Sequence, residues 1–311
     1  MNLDTGSSDI WVPSVNCETP PLCKSINKYN ATASSTHKQA AGSPTFNLGY
    51  AVGGLTGLRA TEVVSLGGLT INDQIIGEAL SEPTDSYNYP FDGTFGFGWS
   101  IISATDQNST PLDNLYEQKQ ISKRLFCIKF TDQTQATQDA IPPGGELSIG
   151  GCDVEADYWR PLSVDGFWQI KMTKLEVGPA TDGGNKLTLC ENGCEALFDT
   201  GMGPIGGPPD EIELITKQIG AHFDKQSNYY IITPCDIASL PNVDFQFGEV
   251  TVTLTPKDYM LTVSPQICYT GFSKMNTKYQ KADYLLGDPF LRKLTVIYDK
   301  DNKRLGFANL K

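Results

Sequence analysis

Apolar residues recur along this chain mostly in short runs, not at helical spacing. Leu125–Phe130, Glu146–Ile149, Val250–Leu254 and Leu294–Tyr298 are rich in β-branched or aromatic residues and bounded by Gly, Pro or Asp. That pattern predicts strands. Two segments carry helical periodicity instead. Pro111–Ile121 puts Leu112, Leu115 and Tyr116 on one face behind Ser109 and Thr110, which read as a cap. Pro209–Ile219 does the same with Ile212, Ile215 and Ile219, and Gly220 is placed to end it. The expectation is a mostly β architecture with a few short helices.

The pattern also repeats. Leu3-Asp4-Thr5-Gly6-Ser7-Ser8 resembles Phe198-Asp199-Thr200-Gly201-Met202-Gly203. Downstream of each lies a short segment ending in glycine, Thr94-Phe95-Gly96 and Leu285-Leu286-Gly287. Gly96 follows Asp4 by 92 positions and Gly287 follows Asp199 by 88. Two matches at nearly equal spacing indicate a duplicated lobe. They predict an N-terminal lobe over 1–158 and a C-terminal lobe over 159–311. About 35–40 residues precede Asp199 in its lobe, whereas three precede Asp4. The first lobe is therefore expected to lack opening strands that its twin has.

Composition narrows the function classes. The 311 residues are 39% apolar and 19% charged, a globular balance. The formal charge of −12 argues against nucleic acid or an anionic membrane as partner. No apolar run approaches the ~18 residues of a membrane helix, and the opening Met1-Asn2-Leu3-Asp4 is not expected to be part of a signal peptide. Asn30-Ala31-Thr32 and Asn108-Ser109-Thr110 are sequons for glycosylation at Asn30 and Asn108. Among the eight cysteines, Cys17 and Cys23 are close in sequence, as are Cys190 and Cys194, while Cys235 and Cys268 close a longer loop. Such spacings suggest local staples and an oxidising compartment. Cys127 and Cys152 remain, either side of an expected hairpin, and form a possible extra pair. Eight reduced, buried cysteines are the alternative. A zinc site fits poorly, because neither His37 nor His222 sits near a cysteine pair at ligand spacing.

Asp and Gly are turn formers, so one Asp-Thr-Gly would read as a surface turn. Two, each behind an apolar residue and each at the same place in a repeat, can supply paired carboxylates. Such a pair shares one proton. The ionised member can take a proton from water while the protonated member donates to a scissile carbonyl oxygen. Glycine lets backbone amides approach the carboxylates.

Several further segments carry a resemblance. They are Asp4–Ser14, Lys28–Asn30 with Ser34–Thr36, Phe91–Gly96, Gly144–Gly151, Phe167–Ile170, Cys190–Thr200 and Leu286–Phe290. With them the chain resembles the pepsin and cathepsin D family of aspartic endopeptidases over essentially its whole length. The resemblance implies a mostly β, bilobal pepsin-like acid protease fold with a central cleft. It implies an extended polypeptide substrate, no organic cofactor and no metal, in a lysosomal or secreted setting, and two catalytic loops in one chain lead to the expectation of a monomer. Carried over by position, Asp4 and Asp199 are the catalytic pair. Thr5 and Thr200 bond beneath them, Ser7 bonds Asp4 from outside, and Gly6 and Gly201 complete the loops. Tyr50 matches the tyrosine of a flap hairpin, Trp11 its hydrogen-bond partner, and Phe91 a pocket wall. Cys17–Cys23, Cys190–Cys194 and Cys235–Cys268 match the family's bridges.

Three features depart from that pattern. The flap tip reads Ala51-Val52 where Gly and a small polar residue are usual. Met202 stands where a hydroxyl is usual, and a thioether donates no hydrogen bond. The strands before Asp4 are expected to be missing. They raise an alternative: a pseudoprotease that binds peptides in the same cleft without cutting. A GxGxxG match at Gly201–Gly206 is set aside as a dinucleotide fingerprint. No βαβ alternation surrounds it, and Pro204, Pro208 and Pro209 remove amide donors.

Overall fold

The computed structural model describes residues 1–17, 23, 27–40, 44–50, 53–81, 91–106, 108–131, 144–179, 184–275 and 281–310. The chain is mostly strand, with four short α-helices among the described residues. It divides into two compact units, Met1–Arg124 and Leu125–Lys311. No helix among the described residues is long and apolar enough to cross a membrane.

The first unit holds a seven-stranded sheet. Its longest members, Gly54–Leu66 and Leu69–Ser81, form a hairpin. Gly67 and Gly68 make the turn with φ of 58° and 87°, a left-handed pair that glycine adopts without penalty. A second hairpin pairs Thr45–Gly49 with the start of the same strand. Its alternation buries Phe46 and Leu48 and exposes Thr45, Asn47 and Gly49.

The second unit contains four sheets. One five-stranded sheet takes Leu125–Phe130 and Gly145–Ile149 together with Tyr158–Pro161, Thr295–Asp299 and Arg304–Ala308. Compactness and the sequence repeat therefore draw their lines at different places. The core is aromatic. Phe198 meets Phe290 edge-on at 5.3 Å and lies 5.5 Å from Phe307. Each fully buried ring of this kind stabilises the fold by about 1.5–3 kcal/mol.

The helices follow their end signals. Helix Pro209–Ile219 buries Ile212, Ile215 and Ile219 and stops at Gly220, whose φ is 91°. Helix Pro111–Glu117 begins at Thr110, which forms a reciprocal capping box with Asp113. It ends earlier than its periodicity predicts, at Glu117 instead of Ile121. Lys119 takes a left-handed φ of 59° there and breaks the hydrogen-bond ladder.

The eight cysteines form four disulfides, Cys17–Cys23, Cys127–Cys152, Cys190–Cys194 and Cys235–Cys268. Their Cα separations of 5.7, 5.9, 5.3 and 5.2 Å lie in the usual range. The reading of reduced, buried thiols does not hold. Cys127 sits opposite Ser148 and Ile297 in the five-stranded sheet, which carries it toward Cys152.

Candidate active site

Each Asp-Thr-Gly is built the same way within its own unit. Asn2–Asp4 runs parallel to Thr94–Gly96, with Asp4 opposite Gly96. The chain then loops over the end of that strand and returns as Ile10–Pro13 on its other side, antiparallel to it. In the second unit Cys194–Phe198 runs parallel to Tyr284–Leu286, and Ile205–Gly207 returns on the far side, antiparallel. In both units a buried central strand supports the loop from below.

The glycines after the central strands are required by close approach. A Cβ on Gly96 would collide with the backbone of Ser8 and Asp9. One on Gly287 would collide with the backbone of Met202 and the Pro204 carbonyl. These repeat signals in the sequence thus have a steric origin: only glycine lets the strand end reach the loop.

The carboxylates are buried, Asp4 to 5% exposure and Asp199 to 7%. The Gly6 amide donates to Asp4 Oδ1 at 2.8 Å, and the Gly201 amide donates to Asp199 Oδ1 at 2.8 Å. Such bonds favour the ionised form and fix the carboxyl plane. Ser7 Oγ donates to Asp4 Oδ2 at 2.5 Å. At the corresponding place in the second loop stands half-buried Met202, whose amide donates to the Asp199 carbonyl at 3.2 Å. Thr5 is buried and Thr200 half-buried.

Tyr50 follows the Thr45–Gly49 strand, and its amide donates to the Gly53 carbonyl at 3.0 Å. Trp11 Nε1 donates to its hydroxyl at 2.6 Å. Both residues pack with Phe46, Leu48, Leu55 and Ala79. Burial, and then the negative charge of Asp4, raise the Tyr50 hydroxyl well above its ordinary pKa, so it stays neutral. Ala51 and Val52, the flap tip of the sequence reading, lie outside the described residues. Phe91 is half-buried before the Thr94–Gly96 strand. Asn30 and Asn108 are exposed.

Two acidic residues had no role in the sequence reading. Asp288 follows Gly287 and donates its amide to the Met202 carbonyl at 3.2 Å. Burial raises its carboxyl above the ordinary value, and Arg292 partly offsets this from 3.2 Å. Asp9 is 1% exposed and accepts four hydrogen bonds from Ser103–Thr105. Its position after Asp4-Thr5-Gly6-Ser7-Ser8 was the available signal.

The family model described as eukaryotic aspartyl protease matches residues 1–310. Cathepsin D of Mus musculus is 36% identical over 98% of this chain and 76% of its own length. Cathepsin E of Mus musculus is 32% identical over 98% and 75%, and pepsin A of Bos taurus 33% identical over 98% and 78%. With two Asp-Thr-Gly loops on equivalent strand frames and a family match along its whole length, this chain belongs to the eukaryotic aspartyl protease family.

Proposed function

We propose that the protein is an aspartic endopeptidase in which Asp4 and Asp199 act as one catalytic pair on an extended polypeptide. The observation that carries this reading is the matched construction of the two loops. Each has a buried carboxylate, a glycine amide at 2.8 Å and a central strand ending in glycine. In the proposed cycle one carboxylate is ionised and the other protonated. The ionised member accepts a proton from a water as that water attacks the peptide carbonyl carbon. The protonated member donates to the carbonyl oxygen. Collapse of the tetrahedral species then breaks the C–N bond, with a proton delivered to the leaving amine. No covalent intermediate and no metal enters this scheme.

The remaining assignments belong to the same proposal. Thr5 and Thr200 support the pair, Tyr50 covers bound substrate, and Phe91 walls a pocket of a central cleft. The duplication boundary lies near 158/159, and the enzyme works as a monomer. Four disulfides support an oxidising compartment, lysosomal or secreted, with glycosylation at Asn30 and Asn108.

One observation favours a second reading, a peptide-binding pseudoprotease. The Met202 side chain offers no donor at the place where Ser7 offers a hydroxyl. Incubating the purified, disulfide-intact protein with denatured globin at about pH 3–5, with and without pepstatin, separates the two, since an aspartic dyad holds one shared proton at mildly acidic pH. The enzyme reading predicts pepstatin-sensitive cleavage. Binding of a peptide without cleavage would replace it with the pseudoprotease.

A further inference from the structure

We propose that Asp9 is a positioning residue for the Trp11–Tyr50 pair, acting through the Ser103–Thr105 turn. The inference rests on the reading above, in which Tyr50 lies over bound substrate. Asp9 has no part in the proposed chemistry, yet it is 1% exposed. A carboxylate so buried is tolerated only with several hydrogen bonds. Asp9 Oδ1 accepts from Ser103 Oγ at 2.6 Å, Thr105 Oγ1 at 2.6 Å and the Thr105 amide at 2.8 Å. Oδ2 accepts from the Ala104 amide at 3.0 Å. All four donors come from one turn, so the carboxylate acts as the template on which that turn folds.

The turn reaches the tyrosine. Ala104 and Tyr50 both pack against the cluster of Trp11, Phe46, Leu48, Leu55 and Ala79. Arg59 Nη1, on the hairpin strand, donates to the Thr105 carbonyl at 2.8 Å. The main-chain carbonyl of Asp9, not its carboxylate, accepts from the Gly96 amide at 3.0 Å, and Gly96 is the residue paired with Asp4. The buried carboxylate therefore ties the Ser103–Thr105 turn, whose Ala104 packs at the seat of Trp11 and Tyr50, to the chain between Asp4 and Trp11.

The geometry separates two substitutions. In Asp9→Asn the remaining carbonyl oxygen is held at the Oδ1 position, where three donors converge. Its amide nitrogen then faces the Ala104 N–H, donor against donor, and that tether is lost. Ser103→Ala removes one hydroxyl donor and leaves the Ala104 tether in place.

The test is the indole N–H resonance of Trp11, picked out from the four tryptophans by its loss in Trp11→Phe, together with steady-state kinetics. Asp9→Asn is expected to shift that resonance and speed its hydrogen exchange. It should raise KM about 3- to 10-fold with kcat changed less than about 2-fold, the range of coupling seen along packed networks. Ser103→Ala should lower the melting temperature and leave both the resonance and KM at wild type. Should Asp9→Asn not fold, Ala104→Gly keeps the amide, removes the packed methyl and should give the same signature. An unchanged Trp11 resonance and KM in Asp9→Asn, or in Ala104→Gly where it stands in, overturns the proposal. So does a Ser103→Ala protein that reproduces the full effect. The resonance is read without turnover, so an inactive protein that still shows the Trp11 shift would sink the enzyme reading and leave this one standing.

Discussion

Replacing Glu62 with glutamine tests how the loop between residues 29 and 36 is held at acid pH. Glu62 lies on the Gly54–Leu66 strand and is 6% exposed. Its Oε1 accepts from the Tyr29 hydroxyl and Ser34 Oγ at 2.5 Å each. Its Oε2 accepts from Thr36 Oγ1 and, at 2.9 Å, from the Val63 amide. Burial pushes this carboxyl upward, but the Ser34, Thr36 and Tyr29 hydroxyls outweigh it and hold it at about 2, from an ordinary 4.5. A depressed folded-state pKa contributes stability that is full above the unfolded value and is lost as pH falls through the folded one. The shift corresponds to about 3 kcal/mol at pH 6, about 2 kcal/mol at pH 3.5 and under about 0.5 kcal/mol at pH 2. Glutamine resembles the protonated carboxyl, so Glu62→Gln should carry that deficit at pH 6 and nearly none at pH 2. Urea denaturation followed by circular dichroism, with the disulfides intact, measures both. A deficit equal at the two pH values, or larger at pH 2, would refute the reasoning.

Other perturbations test the site. Ser7→Ala removes the 2.5 Å donor that favours ionised Asp4. Losing it raises the proton affinity of Asp4, so the acid limb of kcat/KM should move to higher pH, with activity lowered about 10- to 100-fold. Gly287→Ala forces a Cβ into the Met202 and Pro204 carbonyls, and should lower the melting temperature and activity together. In a secretory host, mass spectrometry should find glycan at Asn30 in preference to Asn108. Thr32 is exposed and donates to Asn30 Oδ1 at 2.8 Å, whereas the Thr110 hydroxyl is buried in its capping box ahead of Pro111.

The two loops were legible because their chemistry is local: Asp, Thr and Gly adjacent in sequence, behind an apolar strand. Four strands, those at Leu125–Phe130, Glu146–Ile149, Val250–Leu254 and Leu294–Tyr298, were legible for the same reason, from short β-branched runs between breakers. What escaped was whatever depends on distant partners. Asp9 looks like any turn residue until Ser103–Thr105, more than 90 positions away, closes on it. Glu62 looks like a surface acid until Tyr29, Ser34 and Thr36 meet it from another segment. The end of helix Pro111–Glu117 escaped as well, because a left-handed Lys119 has no compositional mark. Cys127 and Cys152 could be paired only as the residues left over, since their approach depends on sheet register.

Asp4→Asn, Asp199→Asn and the double substitution, assayed on one unfolded protein substrate at about pH 3–5, test the central claim most directly. Groups that act as a unit give non-additive losses. Each single substitution should abolish pepstatin-sensitive hydrolysis while preserving the fold, and the double should fall no further. Wild-type turnover in either single variant, or losses that multiply in the double, would contradict a shared catalytic pair.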